Sequence, residues 1–148
     1  MHWFATRRLD RFRCAALSLA LVFMLAIPGT LLASEDAGPA APDLIAVKFH
    51  ADWCGSCKKM GSTFEDLQNK YDGRSILFVE LDLTNRTTRA QAEYLAASLG
   101  FGKVFASHPG TGFVLLLDGE TRAQIAKLTA DQSIKEMGAT LVAELDAR

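Results

Sequence analysis

Two thiols set three positions apart, Cys54 and Cys57, are the residues of this chain whose type and spacing could do chemistry. They lie in Ala51-Asp52-Trp53-Cys54-Gly55-Ser56-Cys57-Lys58. The apolar run Leu44 to Phe49 before them reads as a buried strand. Met60, Phe64, Leu67 and Tyr71 after them fall on one helical face. The pair therefore sits where a strand hands over to a helix, with Cys54 at the helix N-terminus. Free backbone N–H groups and the positive end of the helix dipole favour an anion there. A thiolate is such an anion and is the reactive form of cysteine, so Cys54 is expected to be the more acidic and nucleophilic sulfur.

The remaining cysteine, Cys14, stands in the first 33 of 148 residues, which have the order of an export signal. Arg7, Arg8, Arg11 and Arg13 make a basic flank, Cys14 to Ile27 is apolar without interruption, and Pro28-Gly29 breaks the run. Leu31 is large for a cleavage site, and Cys14 to Ala33 is long enough to span a bilayer if retained. The expectation for residues 1–33 is a signal peptide or an N-terminal anchor, with the rest extracytoplasmic, periplasmic or secreted. Ser34 to Asp43 is small, acidic and Pro-containing and reads as a linker, leaving a domain over 44–148. Beyond residue 33 there are 12 basic and 16 acidic residues, a formal charge of −4. That balance argues against nucleic acid or an anionic membrane surface as partner. A structural disulfide framework would use several spaced pairs. One C-x-x-C closes a tiny loop and adds little by chain entropy, so function explains the pair better than stapling.

The elements that must hold these thiols follow from the patterning. The strand Leu44–Phe49 is followed by a helix over about Gly55 to Lys70, stopped at Asp72-Gly73. Ser75 to Thr84 is a second strand, and the strand–helix–strand unit is right-handed with parallel strands. Asn85-Arg86-Thr87 opens a helix with Ala92, Leu95, Ala96 and Leu99 on its apolar face. Gly102 to Gly112 is expected as an irregular loop, Phe113 to Leu117 as a buried strand, and Asp118-Gly119 as a hairpin turn. The return strand is expected near Arg122–Leu128. Asp131 or Ser133 caps a last helix with Ile134, Met137, Leu141 and Leu145 inward. The expected fold is α/β, β-α-β-α-β-β-α, with one four-stranded mixed sheet and helices on both faces.

W-C-x-x-C-K at a strand-to-helix junction, followed by this element order, resembles the thioredoxin superfamily over about Leu44 to Leu145. Ala51-Asp52-Trp53-Cys54, with Leu81-Asp82-Leu83-Thr84, is most similar to the C-terminal thioredoxin-like domain of the membrane thiol:disulfide interchange protein and to small exported thioredoxin-like proteins. The resemblance implies an α/β thioredoxin-like fold and a protein-disulfide oxidoreductase with a redox-active Cys54–Cys57 pair. Cys54 would be the exposed nucleophile and Cys57 the buried resolving thiol, with Trp53 on the substrate surface. It implies no cofactor and no metal. Its partners would be disulfide-bearing or dithiol proteins and a membrane electron donor, with reduction or interchange as the direction.

Two positions depart from the family pattern. Where the family places a buried aspartate and its lysine partner, this chain has Lys48 and Glu80, the signs exchanged. They are expected as a buried ion pair beneath Cys57 that shuttles its proton; the competing reading leaves one or both in solvent at the sheet edge. Where the family has a cis-proline facing the thiols, counting back from Phe113 puts Thr111 or Gly112, with Pro109 two or three residues early. Thr111 and Gly112 are therefore expected to form the substrate groove without a cis-proline. The alternative function is a metallochaperone holding Cu(I) through the same cysteines. His50 and His108 are the right types to assist a metal, but each is weighed as a packing or surface residue.

Overall fold

A computed structural model describes residues 40–148; the leader and most of the linker expected at 1–33 and 34–43 lie outside the described residues. Four strands and five helices follow in the order β1 (Leu44–His50), α1 (Gly55–Met60), α2 (Thr63–Lys70), β2 (Ile76–Asp82), α3 (Arg86–Ser98), α4 (Gly102–Ser107), β3 (Phe113–Asp118), β4 (Gln124–Thr129) and α5 (Ile134–Asp146). The strands form one sheet in the order β2-β1-β3-β4. β1 and β2 are parallel, while β1 with β3 and β3 with β4 are antiparallel. This is the α/β thioredoxin-like fold expected from the sequence.

Strand alternation assigns each side chain of β1 to one of two cores. Ile45, Val47 and Phe49 pack with Ala92 and Ala96 of α3, and with Phe101 and Phe105 at α4. Leu44 and Ala46 pack with Met60, Phe64 and Leu67 of α1 and α2, and with Met137 and Leu141 of α5. Helices thus cover both faces, and β1, central and buried along almost its whole length, carries its C-terminal end to the thiols.

Three expectations need correction. The helix expected over 55–70 is two helices, because Gly61 takes a positive φ of 51° and ends α1. The apolar spacing Met60, Phe64, Leu67 continues across the break, so the pattern alone reads as one helix. The loop expected at Gly102–Gly112 contains α4, whose Phe105 stacks on Phe49 at 6.0 Å. Phe101, Val104 and Phe105 have helical spacing that the flanking glycines obscured. Leu95 and Ile134, expected inward, are exposed. On α3 the buried stripe is Ala92 and Ala96, and small side chains there let the helix approach the sheet. Ile134 is the first residue of α5, directly after its cap. That cap is Ser133, which closes a reciprocal capping box with Glu136.

Candidate active site

The dithiol is built by the exit from β1. A turn closes with the Cys54 N–H donating to the Ala51 carbonyl at 3.0 Å. Cys54 is then the N-cap of α1, with extended backbone. Its Sγ accepts the Cys57 N–H at 3.1 Å, the role a serine or aspartate oxygen plays at ordinary helix starts. α1 has only six residues, so these first-turn N–H groups matter more than a long dipole.

The two sulfurs respond in opposite directions. Burial opposes ionisation of Cys54, yet hydrogen bonds from the Cys57 and Thr111 side chains and from the Cys57 and Ser56 backbone outweigh it. The Cys54 thiol is thereby held below its ordinary range. Burial pushes the Cys57 thiol up, reinforced by its hydrogen bond with Cys54 and by repulsion from the Cys54 charge. Cys57 Sγ points at the Phe49 carbonyl, 3.8 Å away. The two sulfurs are thus unequal, Cys54 being the more readily ionised and Cys57 the less.

The expected exposed nucleophile is corrected by the geometry. Cys54 is 7% exposed and Cys57 5%, and the two pack with Ala51 in a small apolar cluster. The cover over Cys54 is Gly112. A Cβ placed there would lie 3.1 Å from Cys54 Sγ and 2.5 Å from Ser56 Cβ. Gly112 has φ of 88°, a region where a side chain is strained. Its N–H donates to the Phe49 carbonyl at 2.8 Å, the same oxygen that faces Cys57 Sγ. Every peptide bond among the described residues is trans. Thr111 and Gly112 thus stand against the thiols as expected of the loop before β3.

A groove of about 550 Å³ opens beside this loop. Ser56 and Lys59 of α1 line one side, and Gly112, Phe113, Lys127 and Asp131 line the other. Trp53 does not line it. Its indole N–H donates to the Thr84 carbonyl at 2.9 Å, and Asp52 N–H donates to Thr84 Oγ1 at 3.1 Å. Thr84 follows edge strand β2, whereas the groove lies towards β3 and β4. Trp53, 63% exposed, is therefore on the other flank of the thiols from Thr111 and Gly112.

Lys48 and Glu80 pair across the parallel strands, Nζ to Oε2 at 2.9 Å. The Lys48 side chain is 7% exposed and the Glu80 side chain 41%, because β2 is a sheet edge. The expected buried pair is thus buried at the lysine end alone. Lys48 Nζ lies 5.5 Å from the Phe64 ring centroid, on the α2 face.

Of the two described histidines, His108 is held by its loop, whereas His50 has one ring nitrogen engaged and the other, Nδ1, buried without a partner. His50 Nε2 lies 3.3 Å from Asp52 Oδ1. His108 Nδ1 lies 2.8 Å from the Val104 carbonyl, and its ring packs at 6.2 and 6.0 Å from Phe49 and Phe113. Among the described residues no three His, Cys, Asp or Glu side chains gather into a metal site. Reading by sequence missed the Lys59–Asp131 ion pair at 2.5 Å and Lys127 over the Phe113 ring at 4.1 Å. Each joins residues far apart in the chain with no local pattern. The Lys127 position alone was legible, since alternation along β4 sets it on the face opposite buried Leu128.

A central strand delivering an asymmetric C-x-x-C dithiol to the start of a helix, with a loop laid over the thiols, defines a thioredoxin-like dithiol protein. The family model described as Thioredoxin matches residues 39–97. Thioredoxin of Ictalurus punctatus is 39% identical over 44 residues, 30% of this chain and 41% of that protein. Protein disulfide-isomerase A2 of Homo sapiens is 39% identical over 67 residues, 45% of this chain and 12% of that protein. A solved Malassezia sympodialis thioredoxin is 18% identical, with a TM-score of 0.48, covering 71% of this chain and 80% of that one. Over residues 39–97 the chain is thus similar to thioredoxins. It spans less than half the length of these curated relatives.

Proposed function

We propose that the chain is a thiol:disulfide oxidoreductase acting on partner proteins through Cys54 and Cys57. The observation that carries the reading is the Cys57 N–H bonded to Cys54 Sγ at 3.1 Å, with the two thiols driven to opposite acidities. The Cys54 thiolate attacks one sulfur of a partner disulfide. A Cys54–partner S–S bond forms, the partner's own S–S bond breaks, and the departing thiolate takes a proton from water. Cys57 then loses its proton to solvent and attacks Cys54 Sγ. The Cys54–Cys57 disulfide forms and the second partner sulfur leaves and is protonated. Two electrons and two protons pass from dithiol to partner, and the reverse sequence oxidises a dithiol.

The leader reading adds the setting. Residues 1–33 direct the domain out of the cytoplasm, as a cleaved signal or a retained anchor, and a membrane protein relays electrons to re-reduce Cys57–Cys54. The reductase or interchange direction follows from that supply. The test is Cys57→Ser, which blocks resolution. The variant is expected to accumulate mixed disulfides through Cys54, and wild type to reduce insulin disulfides. No covalent partner in the variant and no insulin reduction by wild type would overturn the reading.

A further inference from the structure

We infer that the groove beside Cys54 selects partner segments carrying a carboxylate next to the attacked cysteine, with Lys127 as the cation that recognises it. The inference rests on the thiol:disulfide reading above and adds the chemistry of the substrate. Three charged side chains line the groove: Lys59, Lys127 and Asp131. Lys59 Nζ and Asp131 Oδ1 are 2.5 Å apart and answer each other's charge. Lys127 has no carboxylate partner among the described residues; its Nζ stands 4.1 Å over the Phe113 ring. The ring's negative face holds the ammonium in place without neutralising it. The groove therefore has one uncompensated positive charge.

Its position sets which substrate residue it reads. Gly112 abuts Cys54 Sγ, and Phe113, the next residue, carries Lys127 on its ring. An extended chain advances about 3.3 Å per residue. A segment whose cysteine reaches Cys54 over Gly112 thus brings its neighbour one or two positions away to Lys127. A carboxylate there gains an ion pair with the exposed Lys127 ammonium, and an ammonium there meets repulsion. The groove's volume, about 550 Å³, accommodates a short stretch of peptide.

The test uses two disulfide-linked peptides that differ only in Glu or Lys beside the cysteine, together with unreactive versions in which that cysteine is serine. Wild type is expected to reduce the Glu peptide with kcat/KM about fivefold above the Lys peptide, a difference that shrinks with salt. Lys127→Glu reverses the ratio and Lys127→Arg preserves it. The unreactive Glu peptide binds wild type more tightly than the unreactive Lys peptide by a similar factor. Reduction of both peptides at equal rates, or a ratio unchanged in Lys127→Glu, overturns the inference and leaves the oxidoreductase reading standing. Charge-selective binding without reduction of either peptide overturns the oxidoreductase reading alone. Neither selective binding nor reduction overturns both.

Discussion

Gly112→Ala should both destabilise the fold and uncover Cys54. The native φ of 88° is open to glycine, and placing an L side chain there costs about 1–2 kcal/mol. The new methyl would lie 2.5 Å from Ser56 Cβ and 3.1 Å from Cys54 Sγ. Ser56 Cβ sits on the rigid first turn of α1 and cannot swing away, so overlap adds about 1–3 kcal/mol. Together these predict a loss of about 2–5 kcal/mol, relieved in part by the loop lifting off the thiols. Gly110→Ala is the control: its Cβ would meet only Phe113 Cε1 at 3.8 Å, an ordinary contact, and should cost under about 0.5 kcal/mol. Urea unfolding of the reduced proteins measures the stability change. Iodoacetamide labelling of Cys54, at a pH where it is fully ionised, measures the cover and should be several-fold faster in Gly112→Ala. An unfolding midpoint and a labelling rate both equal to wild type would refute the placement of Gly112 against the dithiol.

The pH dependence of labelling should separate the two sulfurs: Cys54 inflects below, and Cys57 above, the same cysteines in the urea-unfolded chain. Because the folded value of Cys54 is depressed, its contribution to stability is present above the unfolded thiol's pKa and is lost as pH falls through the folded one; coincident inflections for Cys54 would contradict this. For the ion pair, Lys48→Met should cost under about 1.5 kcal/mol, because it removes the buried charge and keeps the stem's packing. Glu80→Ala should cost more, about 1–3 kcal/mol, because it leaves Lys48 buried and unanswered. If the pair shuttles the Cys57 proton, Lys48→Met should slow the second, resolving step in stopped-flow measurement, and resolution at the wild-type rate would refute that role.

Much of the fold was legible because its signals are local. Leu44 to Phe49 is apolar at every position but one, as a strand covered on both faces must be. Asp118-Gly119 marks the β3–β4 hairpin, and Asn85 and Ser133 mark helix starts through their capping side chains. The errors came where a local signal was ambiguous. Met60 and Phe64 keep helical spacing across the Gly61 break, and Gly102 and Gly110 hid the short helix that presents Phe105. The exposed nucleophile was expected from the position of Cys54 at a helix start. Its burial depends on a loop 58 residues later in the chain.

The sequence by itself determined the chemistry. Two cysteines in W-C-x-x-C-K after an apolar strand place Cys54 where backbone N–H groups stabilise a thiolate and Cys57 one turn inside. That follows from short-range geometry: a strand, a turn and a helix start over adjoining residues. Only the tertiary structure decided what surrounds the thiols. Gly112 over Cys54, the Phe49 carbonyl shared by Gly112 and Cys57, Lys48 buried against a half-exposed Glu80, and Lys127 held over Phe113 each join residues that the sheet order β2-β1-β3-β4 brings together. Burial and charge at a site depend on every segment packed against it, and that packing is fixed by the register of strands far apart in sequence.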